Sequence, residues 1–137
     1  EASFLEATYH LHEANASAAK IYGEIPPKSV GKLARILGLD APGAVFYDLG
    51  SGIGRMVLQA YLTTPVSRAV GIEIAEPRHK LAVAARDTLL DAGLHSLLPY
   101  PPAAGRRLDF LYDNFTNLDL SDATAFYMAS LFFPVDV

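Results

Sequence analysis

The sequence predicts an α/β fold in which helices cover a doubly wound, mostly parallel sheet. Two observations carry this prediction. Short apolar runs alternate along the chain with longer helical patterns, which is typical of βαβ units. The first such unit joins an apolar run (44–47), the turn Gly50-Ser51-Gly52-Ile53-Gly54 and a helical run (56–62). The chain is therefore expected to be organised around one glycine-rich, ligand-binding turn at the end of its first strand.

The spacing of this turn and one acidic residue discriminate between nucleotide ligands. A dinucleotide-binding turn requires G-x-G-x-x-G, but here the glycines alternate and Arg55 stands where the third would fall. Asp48, at the tip of the strand, would repel a pyrophosphate. S-adenosylmethionine has no phosphate and carries an ammonium and a sulfonium, so it suits this carboxylate. Glu73 ends the next apolar run, where an acid can accept both ribose hydroxyls. The simpler alternative is a structural glycine turn beside a surface glutamate.

Composition narrows the class of protein further. With 137 residues, of which 51% are hydrophobic and 19% charged, the chain has the composition of one folded domain. A formal net charge of −4 provides no electrostatic footprint for nucleic acid. The absence of cysteine excludes disulfides and thiolate chemistry, and it favours an intracellular protein, with nucleus and cytoplasm both open. No apolar run is long enough to cross a membrane.

The remaining pattern predicts three helices, an irregular loop and three further strands. Residues 1–21 are alanine-rich and helical, and their His10, His12 and Glu13 are expected to be solvated, so no metal site is predicted. A second helix is capped by Ser29, ends at Gly38 and buries Val30, Leu33, Ile36 and Leu37. A third runs from Glu76 to Gly93 and buries Leu81, Ala84, Ala85, Thr88, Leu89 and Ala92. The further strands are expected at 69–72, 108–112 and 123–129, and the loop at 94–107.

Several of these segments resemble one enzyme family. The chain looks like a class I S-adenosylmethionine-dependent methyltransferase, and more narrowly it is similar to the Dot1-like family, whose best-known members methylate a lysine in the histone H3 core. The resemblance covers roughly residues 21–134. Its motifs are Tyr22-Gly23-Glu24, Phe46 to Gly54, Val57-Leu58-Gln59-Ala60, Gly71-Ile72-Glu73, Arg78-His79 and Asp113. It implies a Rossmann-like methyltransferase sheet and S-adenosyl-L-methionine as the cofactor. It also implies that the methyl acceptor is a protein, with histones among the candidates.

The resemblance also implies roles for individual positions. A loop containing Tyr22, Gly23, Glu24 and Ile25 would close over the methionine part of the cofactor. The segment Asp48 to Arg55, including Gly50, Ser51, Gly52 and Gly54, would cradle it. Glu73 would hold the ribose, Asp113 would accept from the adenine amino group, and Asn114 or Phe115 would flank the ring. No catalytic residue is assigned. The candidates to line the acceptor channel are Tyr22, Ser130, Phe132 and Phe133.

Four residues depart from the pattern of the histone-lysine enzymes. Ile25 stands where those enzymes usually have a hydroxyl residue, and Arg55 replaces an amide. Ala129-Ser130 stands where they have an Asn-Asn pair. Alternatives to a histone methyltransferase therefore stay open: a methyltransferase with another acceptor, or a non-catalytic domain that binds the cofactor. An NAD-dependent oxidoreductase is a third possibility, which Asp48 and Arg55 disfavour.

Two expectations concern the extent of the domain. Residues 1–40 are predicted to form an N-terminal helical region that contains the cofactor-closing loop at 22–27, and residues 41–137 the Rossmann-like core. The resembled fold has further strands beyond the fourth. The sheet is therefore expected to lack its C-terminal strands, and missing sequence or a second chain would complete it.

Overall fold

A computed structural model describes residues 27–91, 99–100 and 105–129. Four parallel strands form one sheet in the order β3-β2-β1-β4. The strands are β1 (Val45–Leu49), β2 (Arg68–Glu73), β3 (Arg107–Tyr112) and β4 (Ala125–Tyr127). This order places β1 between β2 and β4, so the turn that follows β1 lies in the middle of the sheet's carboxyl edge. The prediction of a parallel α/β sheet is confirmed.

In the described part of the chain, three α-helices and one short 3-10 helix accompany the sheet. They are α1 (Pro27–Ile36), α2 (Arg55–Thr63), α3 (Glu76–Asp91) and the 3-10 helix Phe115–Asn117. Helix α2 connects β1 to β2, and α3 connects β2 towards β3, which is the connection that parallel strands require. Every residue from Arg55 to Leu62 is buried, because α2 lies between the sheet and α1.

One face of the sheet carries the main hydrophobic core. Phe46, Ala69, Leu108 and Phe110 from the strands pack with α2 and with buried residues of the other two helices. The α1 residues in this core are Val30 and Ala34, and the α3 residues are Ala82 and Leu89. Helix α1 therefore shares a core with the sheet, while the domain boundary at residue 40 stays a prediction.

The opposite face of the sheet is covered by the segment between β3 and β4. Tyr47, Val70 and Ile72 form its buried centre, with Leu118 and Leu120 among the residues packed on them. A polar network closes one end of this face. Arg68 donates to Asp109 at 2.9 Å, to Asp122 at 2.9 Å and to the Tyr47 hydroxyl at 3.0 Å, and that hydroxyl donates to Asp122 at 2.8 Å. Charged groups at the start of β2 thus fasten the covering segment to the sheet.

The predicted details of α1 were partly wrong. Ser29 lies inside the helix instead of capping it, because Pro27 can occupy the first turn, where a missing N–H costs nothing. The buried line runs through Val30 and Ala34, whereas Ile36 is 71% exposed. The predicted end is confirmed: Gly38 has φ 67° and its N–H donates to the Arg35 carbonyl, while Leu39 N–H donates to the Ala34 carbonyl. This pair of bonds is the Schellman arrangement of a glycine-terminated helix.

The predicted buried stripe of α3 was partly wrong. Leu89 is buried as predicted and Ala85 packs partly buried against the core, while Ala92 lies outside the described residues. The buried residues are Ala82 and Leu89, whereas Leu81, Ala84 and Thr88 are exposed. Alanines occur on several sides of this helix, so its apolar pattern does not single out one face. Close packing decides which face of α3 is buried. A Cβ added to Gly54 would lie 3.1 Å from the Cβ of Ala82, so there is room only for small residues at positions 54 and 82.

Strand β4 is shorter than the predicted 123–129. Next to it, the Thr124 hydroxyl accepts from Val45 N–H at 2.9 Å, and Thr124 N–H donates to the Val45 carbonyl at 2.9 Å, so a side chain replaces part of the ladder. Within the described residues β4 pairs with β1 alone, and Phe126 is 46% exposed. Completion of the sheet beyond β4 stays a prediction. Among the described helices none is long and apolar enough to cross a membrane.

Candidate functional site

The carboxyl edge of the sheet brings most of the predicted site residues together. In the parallel register Asp48 of β1 lies opposite Gly71 of β2, and Glu73 of β2 lies opposite Tyr112 of β3, directly before Asp113. The glycine turn starts one residue after β1, at Gly50. Ligands of open α/β sheets bind at this edge.

The backbone of the glycine turn is folded back onto the end of β2. Gly50, Gly52 and Gly54 have φ of 80°, 57° and 87°, a region that side chains other than glycine rarely adopt. The N–H groups of Gly50 and Ser51 both donate to the Ile72 carbonyl, at 2.8 and 2.9 Å, and that of Gly54 donates to Ser51 at 2.9 Å. Gly52 N–H donates to the Glu73 carboxylate, so the amides of all four residues are bonded within the protein.

Two glycines permit the close packing that holds the turn in place. A Cβ on Gly71 would lie 2.7 Å from the ring of Phe110 and 2.7 Å from the Ser51 hydroxyl oxygen. A Cβ on Gly54 would lie 2.6 Å from the same ring. The contribution of Gly71 and Phe110 was missed in the sequence. The glycine within a strand was the available signal, since such a residue often marks a close approach.

Asp48 is a buried carboxylate whose Oδ1 has no hydrogen-bonding partner within the described part of the chain. The residue is only 3% exposed. Burial, together with the nearby charge of Glu73, raises the pKa of Asp48 from 3.8 to about 8. An unpaired buried carboxylate is unfavourable unless a cation reaches it. This environment suits an ammonium beside Asp48, and that contact stays a prediction.

Glu73 is equally buried, but its oxygens have partners. Its Oε2 accepts from Gly52 N–H at 2.8 Å, and its Oε1 accepts from Ala75 N–H and from the Arg78 guanidinium, both at 2.8 Å. The residue is 3% exposed. A carboxylate has about four acceptor positions, so three donors leave capacity for another. Arg78 occurs in the resemblance, but the sequence did not identify it as a partner of Glu73.

Asp113 and Asn114 lie at the predicted edge but make local contacts. Oδ1 of Asp113 accepts from Asn114 N–H at 2.7 Å and from the Asn117 side-chain amide at 3.2 Å. Asn114 caps the 3-10 helix by accepting from Thr116 N–H at 3.0 Å. Both residues therefore shape the turn after β3. Their predicted contacts with adenine stay predictions.

Other side chains surround the candidate site. Ser51 and Arg55 are buried within the turn and at the start of α2. On β4, Tyr127 is the register partner of Asp48, and its pKa is raised by burial and by the Asp48 charge. His79 stacks on Tyr112 with 5.6 Å between ring centres. Sequence reasoning did not place Tyr127 here, because an apolar strand pattern does not fix register.

Some predicted residues lie outside the described part of the chain. They are Tyr22, Gly23, Glu24, Ile25, Ser130, Phe132 and Phe133, together with His10, His12 and Glu13. Their roles stay predictions. Within residues 27–91, 99–100 and 105–129, no group of three or more His, Cys, Asp or Glu side chains is arranged to hold a metal ion.

A parallel sheet with an acid ending β1, a glycine turn and a second acid ending β2 defines the Rossmann-like methyltransferase fold class. Comparison with known proteins supports this class and narrows it. Residues 2–130 match the family described as "Histone methylation protein DOT1". The chain belongs to this family.

Individual relatives extend the comparison. The chain is 38% identical over 84 residues to a histone-lysine N-methyltransferase, H3 lysine-79 specific, from Candida albicans, covering 61% of this chain and 6% of that protein. It is 34% identical over 99 residues to methyltransferase ungE' from Aspergillus campestris, covering 72% of this chain and 27% of that protein. The chain thus spans a small part of the length of these relatives.

A solved structure shares the fold. An RNA methyltransferase from Salinibacter ruber, in complex with S-adenosyl-L-homocysteine, superposes with a TM-score of 0.57 at 30% identity. The match covers 77% of this chain and 59% of that one. The resemblance of the sheet to that of S-adenosylmethionine-dependent methyltransferases is therefore confirmed in three dimensions.

Proposed function

We propose that this chain carries the cofactor site of an S-adenosylmethionine-dependent methyltransferase of the DOT1 family. One observation carries the proposal: Asp48, next to the last residue of the central strand, is a buried carboxylate whose Oδ1 has no hydrogen-bonding partner among the described residues. In a family of methyltransferases, the cationic cofactor is the ligand that would compensate this charge. The glycine turn beside Asp48 lets the backbone approach such a ligand closely.

The same edge is poorly suited to a pyrophosphate. A phosphate cradle requires free backbone N–H groups, but Gly50, Ser51 and Gly52 donate to the end of β2. Asp48 and Glu73 would add two carboxylates next to the anion. These features disfavour a nicotinamide dinucleotide. They suit S-adenosylmethionine, which brings an ammonium and a sulfonium and no phosphate.

The residues of the chain would bind and orient the cofactor. Asp48 would pair with its ammonium, and Glu73 would use its remaining acceptor capacity for the ribose hydroxyls. Bound S-adenosylmethionine supplies a methyl group that is already activated by the sulfonium. The remaining contribution of the protein is to align the acceptor with that methyl group and to exclude water. Burial of Asp48, Ser51 and Glu73 keeps this edge dry.

A protein lysine, with histone H3 as the first candidate, is the acceptor that the relatives favour, and such an enzyme would act in the nucleus. The Candida albicans relative is H3 lysine-79 specific. A lysine nucleophile must arrive uncharged, so an apolar approach that lowers its pKa would help. Tyr22, Ser130, Phe132 and Phe133 are the residues we propose for that channel.

Position 129 supports a second candidate, a methyltransferase with a different acceptor. Ala129 stands where the resembled histone enzymes have the first residue of an Asn-Asn pair. The match to methyltransferase ungE' covers more of this chain than the match to the Candida albicans enzyme. A domain that binds the cofactor without turnover is the corresponding non-catalytic alternative.

Incubation with radiolabelled S-adenosylmethionine tests these possibilities. The purified chain, and D48N as a control, are incubated separately with histones, total protein extract, RNA and small-molecule extract. Label transferred by the wild type to histone H3, and not by D48N, supports the histone assignment. Label in another pool supports the second candidate. Cofactor binding without transfer to any pool supports the non-catalytic alternative, and absence of binding contradicts the proposal as a whole.

A further inference from the structure

The carboxylate of Glu73 connects the glycine turn to the start of α3. One oxygen holds Gly52 N–H in the turn, and the other holds Ala75 N–H and the Arg78 guanidinium at the entry to the helix, each at 2.8 Å. Helix α3 begins at Glu76, so Arg78 belongs to its first turn. The orientation of Glu73 is thus determined by donors from two different elements.

Electrostatics give Arg78 a role that the backbone donors cannot fill. Asp48 and Glu73 are both almost completely buried and their charges interact. Two neighbouring buried carboxylates favour protonation of one of them or movement of one towards water. Arg78 provides a full positive charge in contact with Glu73, and its side chain is only 28% exposed. The ion pair is therefore less screened than one on the surface.

We propose that Arg78 is a positioning residue that holds the Glu73 carboxylate aimed at the ribose of S-adenosylmethionine. This inference rests on the proposed function, because it requires that Glu73 meets the ribose hydroxyls. Arg78 itself donates to Oε1, on the side of Ala75 and α3. It acts through Glu73 and is given no contact with the reacting methyl group.

A chemical double-mutant cycle separates this role from a general contribution to folding. S-adenosylhomocysteine and its 2′-deoxyribose analogue are titrated calorimetrically into the wild type, R78M and R78K. R86M is the matched control, because Arg86 lies on the same helix and pairs with exposed Asp87. Circular dichroism and thermal unfolding show which variants are folded.

We expect R78M to raise the Kd for S-adenosylhomocysteine by on the order of tenfold. The same variant should change the Kd of the deoxy analogue much less, because that ligand lacks a hydroxyl through which Glu73 would act. R78K retains the charge without the planar fork and should lie between R78M and the wild type. R86M should bind both ligands as the wild type does.

Two outcomes would overturn the inference while the proposed function stands: an unchanged Kd for S-adenosylhomocysteine in R78M, or equal weakening of both ligands. If R78M does not fold, the same comparison in R78K decides, since equal weakening there also overturns it. A wild-type chain that binds neither ligand would overturn the proposed function and this inference together.

Discussion

Asp48 and Glu73 lie at the carboxyl ends of neighbouring parallel strands as two buried carboxylates, each 3% exposed, and they differ in their partners. Among the described residues Glu73 has three donors, whereas Oδ1 of Asp48 has none. The difference assigns them different tasks. Glu73 helps to build the edge of the sheet, since it joins the glycine turn to α3. Asp48 stays available to a cation, at a cost to the stability of the unliganded protein.

The first prediction concerns this cost. Because the folded-state pKa of Asp48 is raised from 3.8 to about 8, the folded chain binds more protons than the unfolded chain between these values. The free energy of unfolding should therefore fall as the pH rises through this window, by up to about 1.4 kcal/mol per pH unit, and then level off. D48N should remove this slope and be more stable than the wild type at pH 8. Urea unfolding at several pH values measures both effects.

A matched control for D48N is D87N, which changes an exposed aspartate of α3. It should keep the wild-type slope. If D48N and the wild type show the same pH dependence, the raised pKa is refuted. D48N should also lose affinity for S-adenosylhomocysteine, so that one substitution increases stability and weakens binding.

The second prediction concerns the ribose. Glu73→Ala should weaken binding of S-adenosylhomocysteine by roughly 1.5–3 kcal/mol for each charged hydrogen bond lost. Calorimetric titration measures this loss. Glu76→Ala is the control, because Glu76 is exposed and pairs with Lys80 on the outside of α3. Equal affinity of Glu73→Ala and the wild type would rule out the ribose contact.

The architecture, and the edge of the sheet that carries the candidate site, could be predicted from the sequence because the signal lies in one short segment. The glycine turn needs positive φ at Gly50, Gly52 and Gly54, and an apolar strand must precede it, so the βαβ unit can be recognised from a short segment. Because β1 and β2 are parallel, Asp48 and Glu73 lie at the same edge of the sheet. Which face of α3 is buried could not be predicted, since alanines on several sides leave the choice to Gly54 and Phe110, which are distant in the sequence.

The contacts that the site residues make with other side chains could not be predicted from the sequence either. The bond between Arg78 and Glu73 depends on the rotation of α3, and the approach of Tyr127 to Asp48 depends on the register of β4. Asp113 illustrates a different difficulty. A strand-end aspartate can form a turn or bind a ligand, and both uses require the same residue at the same position.

The third prediction concerns Gly71. Gly71→Ala would place a methyl group 2.7 Å from the Phe110 ring and from the Ser51 hydroxyl, so the chain should lose roughly 1–3 kcal/mol of unfolding free energy. Denaturant unfolding measures the loss. Combining it with Phe110→Leu should recover part of this loss, because the smaller side chain relieves the clash. An additive effect of the two substitutions would contradict the packing argument.

Gly31→Ala provides the control for glycine replacement. Gly31 lies in α1, and no atom of the described residues would come within 4 Å of a Cβ added to it. Alanine should therefore stabilise the chain by up to about 1 kcal/mol through helix propensity alone. Destabilisation by this substitution would mean that α1 is packed differently.

The fourth prediction concerns Arg106, which fastens the end of α2 to the start of β3. Its guanidinium donates to the carbonyls of Tyr61 at 2.7 Å and Thr64 at 2.9 Å, its Nε donates to Val66 at 2.9 Å, and the group lies 4.3 Å from the centre of the Tyr61 ring. These carbonyls lie at or just beyond the helix end, where partners within the helix are lacking.

Arg106→Met keeps much of the apolar length and removes the donors, so it should lower the free energy of unfolding by about 2–4 kcal/mol. Arg107→Met is the control, since that side chain is 62% exposed and its ion pair with Asp109 spans 3.2 Å, which is worth little. Thermal and urea unfolding compare the two variants. Because Arg106 lies away from Asp48 and Glu73, the folded fraction of Arg106→Met should bind S-adenosylhomocysteine with wild-type affinity. Equal stability of the two variants would show that the carbonyls at the end of α2 do not depend on Arg106.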